Sequence, residues 1–428
     1  MNNPLIKFPV NEYRLNNGLI LLIIEDHRLP LICYNTTFQV GSRNEGNNHD
    51  SKSGITGISH LFEHMMFNGS KKFGHGVFDT LIESNGGYSN AWTSKDLTSY
   101  YQVIPPTQLD MIMEMEVDRM VNLELTEESL ASELAVVKEE RRMSTDNSIP
   151  GLMIELLYKN AFNNHSYHWP VVGWMDDLNR ISVQDCQNYY SQYYTPGNAV
   201  LVIAGNVSSE EVFNKISKMY GWIKSDKTTL LNLPKEPIQR EEKHIVLNKP
   251  AELEIFLIGY HGCKAGHEDM LVLDIIQNIL LSGDSSRMHK KLVYKKEVAL
   301  DVDGAFNWGL DPDLFYFQIR IPNGKGSKES LKLFDQELEM LVSHYISEKE
   351  LQKAKNGLLM TFIDELSTLS GKTTEISTHQ IYFNNWKTLF GIMEKYQSVT
   401  TKDIQNVTEK YFNKENRTII HLVPNDIC

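Results

Sequence analysis

Two histidines and a glutamate stand together at His60-Leu61-Phe62-Glu63-His64. Residues 54–67 read as a helix closed by Asn68-Gly69. Histidines four residues apart leave one helical face a turn apart. That spacing lets two imidazoles hold one metal ion at about 2 Å each. Glu63 lies on the same side, directly before the second histidine. A carboxylate there can stand beside an activated water without binding the metal. The order H-x-x-E-H reverses the H-E-x-x-H zinc motif. The same residues on an ordinary helix would be satisfied core or surface groups, so the surroundings decide.

A catalytic zinc takes three protein ligands and keeps one position open. The third ligand must come from elsewhere, and the stretch Glu133-Leu-Ala-Val-Val-Lys-Glu-Glu140-Arg-Arg is acidic and helical in pattern. Glu133 and Glu140 are two turns apart and share a face, whereas Glu139 points away. Spacing alone leaves open whether Glu140 is a ligand or part of a solvated face. His165 and His168 lie in an aromatic loop with no fixed face, and the Met-rich helix at 107–121 reads as core.

At 428 residues the chain predicts two domains. A net charge of −13 argues against a nucleic-acid partner. No stretch approaches the roughly 20 apolar residues of a membrane span. The first ten residues lack a signal-peptide core, which reads as a cytoplasmic chain, or a periplasmic one if a signal was removed. Cys33, Cys186, Cys263 and Cys428 are scattered and suggest neither a thiolate metal site nor a disulfide framework.

The expected elements begin with strands at 12–15 and 19–24 around Asn17-Gly18, a hairpin signal. A strand at 31–40 follows, then a loop at 41–52, the histidine helix and a helix at 75–84 stopped by Gly86-Gly87. Strands at 88–94 and 97–104 come next. Further helices start at Thr126, Pro150, Ser182 and Ser209, with a strand at 199–204. Asp185, Gln187, Asn188, Tyr193 and Asn198 recur as Asp403, Gln405, Asn406, Tyr411 and Asn416 at one constant offset, the mark of a duplicated domain. Aligning Asn68-Gly69 with Ser282-Gly283 puts Asp274, Gln277 and Asn278 where the first half has His60, Glu63 and His64. The expectation is an α+β fold of two homologous domains, each a mostly antiparallel sheet with helices packed on one face. Residues 1–224 would carry the metal, 225–244 would link, and 245–428 would lack a metal site.

The run G-I-S-H-L-F-E-H-M-M-F-N-G-S resembles the pitrilysin/insulinase family of zinc metallopeptidases, in particular its half-length, processing-peptidase-like members. The resemblance extends over N-G-L at 17–19, V-G-S-R-N-E-G at 40–46, G-G-Y-S-N-A-W-T-S at 86–94, V-V-K-E-E-R-R at 136–142 and S-G-D-S-S-R at 282–287. It implies Zn2+ held by His60, His64 and Glu140, with Glu63 as general base and Glu133 supporting the site. It also implies a peptide substrate paired to an edge strand at Asn90 and Ala91. Phe67 would wall a pocket or belong to the core. One departure stands out. The family has an Arg and a Tyr, seven residues apart, that donate hydrogen bonds to substrate and oxyanion. Val293 and Leu300 stand there instead; Arg287 and Tyr294 have the spacing but not the positions. The resemblance therefore implies the zinc-bearing subunit of a heterodimer, whose homologous partner, or else a second copy, supplies the missing donors. The alternative is a scaffold or peptide-binding subunit without catalysis.

Overall fold

The computed structural model describes residues 7–46, 54–225, 233–322 and 326–425. In the first half, β1 (Asn11–Arg14) and β2 (Ile20–Glu25) form the expected hairpin. Gly18 takes φ +92° at its turn, which favours glycine. With β3 (Ile32–Phe38), β4 (Tyr88–Thr93), β5 (Thr98–Ile104) and β6 (Ala199–Gly205) they make a sheet ordered β1-β2-β6-β3-β5-β4. Only β2 and β6 run parallel, and β4 is a free edge. Six helices of this half are α1 (Ile58–Met65), α2 (Val77–Ser84), α3 (Leu109–Val121), α4 (Glu127–Arg141), α5 (Ile149–Ala161) and the short α6 (Met175–Leu178). Then come α7 (Val183–Tyr193) and α8 (Ser209–Tyr220).

The second half repeats the plan without the first strand. Its sheet is β7 (Lys243–Pro250), β11 (Arg417–Asn425), β8 (Glu254–His261), β10 (Leu314–Ile321) and β9 (Asp301–Phe306), in that spatial order, with β7 parallel to β11. Its helices are α9 (Met270–Leu281), α10 (Ser327–Ser343), α11 (Glu348–Glu365), α12 (Leu369–Phe383), α13 (Thr388–Ser398) and α14 (Thr401–Tyr411). The repeated residues do the same work twice. Ser182 and Thr400 cap α7 and α14, and Asp185 and Asp403 accept from the cap residues' own N–H groups. Asn198 donates to Tyr193 O and to Gln39 O just beyond β3; Asn416 donates to Tyr411 O and to His261 O at the end of β8.

Each half packs its own helices on one face of its sheet, as the sequence predicts. The opposite face is covered by a helix from the other half. Leu21 and Ile23 of β2 face the first core, whereas Leu22 and Ile24 join the core of the second half. There α12 lies across β3 and β6, with Thr373 against Cys33, Ser377 bonded to Thr37, and Lys372 paired with Asp26 at 2.7 Å. In return α5 covers the second sheet, where Met153 and Leu157 pack with Leu257, Ile420 and Leu422. Gly259 leaves the space: a Cβ there would sit 2.9 Å from Leu157.

Some boundaries shift. The histidine helix starts at Ile58, not at 54, because Gly57 takes φ +91° and ends the preceding turn. The expected linker at 225–244 is partly outside the described residues, at 226–232, as are 47–53 around the end of the predicted loop and Cys428. Its described part is anchored: Glu236 accepts from the backbone N–H groups of Asn163, Asn164 and His165. No helix among the described residues is long and apolar enough to cross a membrane.

Leu157 is fully buried against the other half's sheet. Leu157→Ala should cost about 2–5 kcal/mol. Urea unfolding should report that loss as one transition for both halves; two separated transitions would show that the exchanged helices do not couple them.

Candidate metal centre

The first turn of α1 is fixed from outside the helix. Its N-cap, Gly57, has no side chain to satisfy the free N–H groups. Glu45 supplies the acceptors: Oε2 takes the Gly57 N–H and Oε1 the Ser59 N–H, each at 2.8 Å. Burial pushes the Glu45 carboxyl up to about 8, although those two N–H groups favour its charged form. Ser59 Oγ meets Tyr189 OH at 2.6 Å. Ile58, Leu61, Phe62 and Met65 are buried, so the helix turns His60, Glu63 and His64 the other way.

The second element is α4. Thr126 caps it, as the sequence predicts, by accepting from Ser129 N–H, and Leu130, Leu134 and Val137 bury one face. At its end Arg141 donates to Glu155 at 2.8 Å and to Gly173 O at 2.7 Å. Gly173 in turn packs on the start of α1: a Cβ on it would lie 2.3 Å from Thr56 O. A Cβ on Gly57 would lie 2.6 Å from Val172 O. Arg141 thus ties the carboxylate-bearing helix to the histidine-bearing one. Glu139 pairs with Arg142 and faces solvent, as expected.

Together these elements gather His60, His64 and Glu140, with one ligand atom from each within 4.8 Å of the others. Glu140 Oε2 is 3.6 Å from His60 Nε2 and 3.4 Å from His64 Nε2. Two ligands at about 2.1 Å and a tetrahedral angle stand roughly 3.4 Å apart. The donor set therefore fits a zinc-sized ion. Glu133 Oε2 lies 3.5 Å from His64 Nδ1, which favours the tautomer with Nε2 free to ligate. Burial, then the neighbouring His64, lowers His60 to about 4. The Glu133 carboxylate raises His64, and burial raises Glu63 against partial relief from Thr93.

Beside this group opens a cleft of about 360 Å³, with Glu63, His64, Phe67, Asn90 and Ala91 on its walls. The Phe67 ring lines this cleft and also packs edge-on against Phe78 at 5.7 Å. Ala91 N–H on β4 is met by Asn90 Oδ1 at 2.8 Å, a local bond that an incoming carbonyl could replace. His165 and His168 turn elsewhere, to Asp311 and to Phe162 O. The corresponding place in the second half is packed shut. Asp274 accepts from Trp308 and Tyr396, Gln277 accepts from Phe306 N–H, and Asn278 abuts Gly357. Val293 is packed against the core and Leu300 is exposed.

Glu45, Arg141 and Gly173 had no assigned role in the sequence. Glu45 and Arg141 fall inside the quoted V-G-S-R-N-E-G and V-V-K-E-E-R-R runs, but a buried capping carboxylate and a bridging guanidinium have no periodicity that would betray them.

Two related sheet-and-helix halves, with the H-x-x-E-H run in the first, are the two-domain architecture of M16-like proteins. The chain belongs to the insulinase family: the model described as Insulinase (Peptidase family M16) matches residues 34–173, which hold His60, Glu63, His64, Glu133 and Glu140. The model described as Peptidase M16 inactive domain matches 180–358. The zinc protease PqqE of Helicobacter pylori is 30% identical, over 96% of this chain and 92% of that protein. The uncharacterized zinc protease YmxG of Bacillus subtilis is 24% identical, over 95% of this chain and 96% of its own. The crystal structure of a protease from Helicobacter pylori superposes with a TM-score of 0.91 at 29% identity, covering 97% of this chain and 100% of that one.

Glu45→Ala leaves two helix N–H groups unmet and should cost about 2–3 kcal/mol by denaturant titration. Zinc affinity should fall with it, because the cap fixes the turn before His60; unchanged affinity would mean that the cap does not position the ligands. Zinc also competes with protons for His64, whose proton affinity the Glu133 carboxylate raises. Affinity should therefore weaken as pH falls through the raised His64 titration, which a metal-indicator competition can follow.

Proposed function

We propose that this chain is a zinc endopeptidase acting on peptides or unfolded segments. One observation carries the reading: a Glu140 oxygen at near-tetrahedral separation from a nitrogen of His60 and of His64, beside a cleft walled by an open strand edge. His60, His64 and Glu140 would hold the ion. Bound zinc would supply a Lewis acid that activates water and polarises the scissile carbonyl. Glu63 is the general base. Its carboxylate lines the cleft and its proton affinity is raised by burial. It takes a proton from the attacking water and returns it to the leaving amine nitrogen. Glu133 keeps His64 in the ligating tautomer. Asn90 and Ala91 offer the β4 edge to an extended segment, whose backbone is read by strand addition while Phe67 walls a side-chain pocket.

On this reading residues 1–224 form the catalytic unit, 225–244 the linker, and 245–428 a second unit without metal. A second reading rests on Val293 and Leu300, which have no donors for an oxyanion. On it the chain holds zinc and captures strands, and cuts only when a homologous subunit or a second copy supplies Arg and Tyr.

The purified chain, loaded with one zinc, is tested on a pool of quenched-fluorescence peptides. Glu63→Gln should retain zinc and lose cleavage by about 10²-fold or more. Turnover by that variant would remove the assigned base. Glu133→Gln should weaken zinc by roughly 10- to 100-fold. Zinc bound without cleavage by the wild type would favour the second reading.

A further inference from the structure

The second half reaches into the segment that fixes the start of α1. Residues 307–313 join β9 to β10 in that half. In the first half, residues 94–97 turn β4 into β5, and 42–45 lead towards α1. These three pieces meet in one largely buried cluster of charge. Arg43 donates through Nε to Asp311 Oδ2 at 2.7 Å, and its Nη2 stands 2.6 Å from the same oxygen. His165 Nε2 lies 3.1 Å from that oxygen too. Lys95 Nζ meets Asp313 Oδ2 at 2.6 Å and lies 3.6 Å from the centre of the Tyr158 ring. Asp96 accepts from the Leu310 N–H at 2.9 Å and from Tyr167 OH at 2.8 Å. Asp96 and Asp313 are each 2% exposed. Arg43 and Lys95 thus take their carboxylates from the other half.

Charges largely removed from water keep their partners, because one left alone carries its full desolvation cost. The held pieces are also tied to each other. Ser42 N–H donates to Ser94 O at 3.3 Å, and Arg43 N–H donates to Lys95 O at 2.8 Å. A Cβ on Gly41 would stand 2.4 Å from Ser94 O, so the two backbones are in direct contact. Glu45 follows Arg43 by two residues, and its N–H donates to Ser42 O at 3.3 Å. Its carboxylate takes the N–H groups of Gly57 and of Ser59, the residue before His60. From its own half the segment receives Trp169 Nε1, on Ser42 O at 2.7 Å. The Arg43 guanidinium is held from the second half.

We propose that Asp311 and Asp313 are positioning residues for the metal centre: through Arg43 and Lys95 the second half sets the Glu45 cap, and with it the turn of α1 that presents His60. The inference rests on the reading that His60, His64 and Glu140 hold zinc, and it does not require cleavage.

The test uses the full chain. Metal-indicator competition reads zinc affinity, and the visible bands of bound Co2+ read the geometry around the ion. Asp311→Asn and Asp313→Asn should each weaken zinc by about tenfold and shift the Co2+ bands. Leu157→Ala loosens the contact between the halves at another place, so it should leave both readings at the wild-type value. On a Glu45→Ala background, Asp311→Asn should weaken zinc no further, because its effect passes through that carboxylate. Arg43→Lys keeps the charge but loses the planar fork, and it should still weaken zinc. If the aspartate variants do not fold, Arg43→Lys decides alone. Unchanged affinity overturns the proposal, as does an equal loss in Leu157→Ala or a further loss on the Glu45→Ala background. A wild type that binds no zinc overturns the metal reading and this proposal with it. The expected losses without any cleavage overturn the peptidase reading alone. Cleavage by the wild type, with variants that bind zinc as tightly, overturns this proposal alone.

Discussion

The metal centre depends on a contact between two backbones. Gly57 and Gly173 both take positive φ, +91° and +82°, and neither tolerates a Cβ. Their close approach brings the start of α1 against the turn whose carbonyl Arg141 holds. Glu140 is the residue before Arg141, so the guanidinium that locks this turn also fixes the carboxylate. Two candidate ligands on one helix and a third from a distant part of the chain acquire a set separation without a loop between them. Such preorganisation is what a site built on rigid elements can offer.

The duplication explains both the rigidity and the asymmetry. Each sheet needs both faces covered, and each half lends a helix to the other. The first and second cores therefore interlock. In the second half the aligned polar residues serve packing. Burial raises Asp274 to about 7, and it spends its oxygens on Trp308 and Tyr396 rather than on an ion. Gln277 reaches the last residue of β9, as Glu63 lies near Thr93, the last residue of β4.

Much of this was legible in the residues. Helical spacing put His60, Glu63 and His64 on one face, and the apolar residues between them confirmed which face was buried. Thr126, Ser182 and Thr400 cap their helices because hydroxyl caps are local chemistry. Glu140 was not settled by spacing, since an acidic helix face reads the same whether it meets water or a metal. The start of α1 was not legible either: Thr56 and Gly57 fit a helical window, and only the left-handed backbone at Gly57 ends it. Helix exchange was hidden for a different reason. Continuous apolar runs such as 19–24 and 199–204 say that both faces of a strand are covered, but not by which part of the chain.

Charge is the remaining constraint. Glu63, Glu133 and Glu140 surround two histidines, and Asp79 and Glu83 add to the same side of the molecule. A dication at the centre offsets part of this and leaves the cleft acidic, so the site attracts cations and disfavours developing negative charge. A peptidase reaction builds negative charge on the carbonyl oxygen. Val293 is packed away and Leu300 is apolar, so neither side chain donates to it. Stabilisation must then come from the ion, from a donor of this half, or from a surface brought by another chain. The open β4 edge and the exposed position of Leu300 leave room for such a surface.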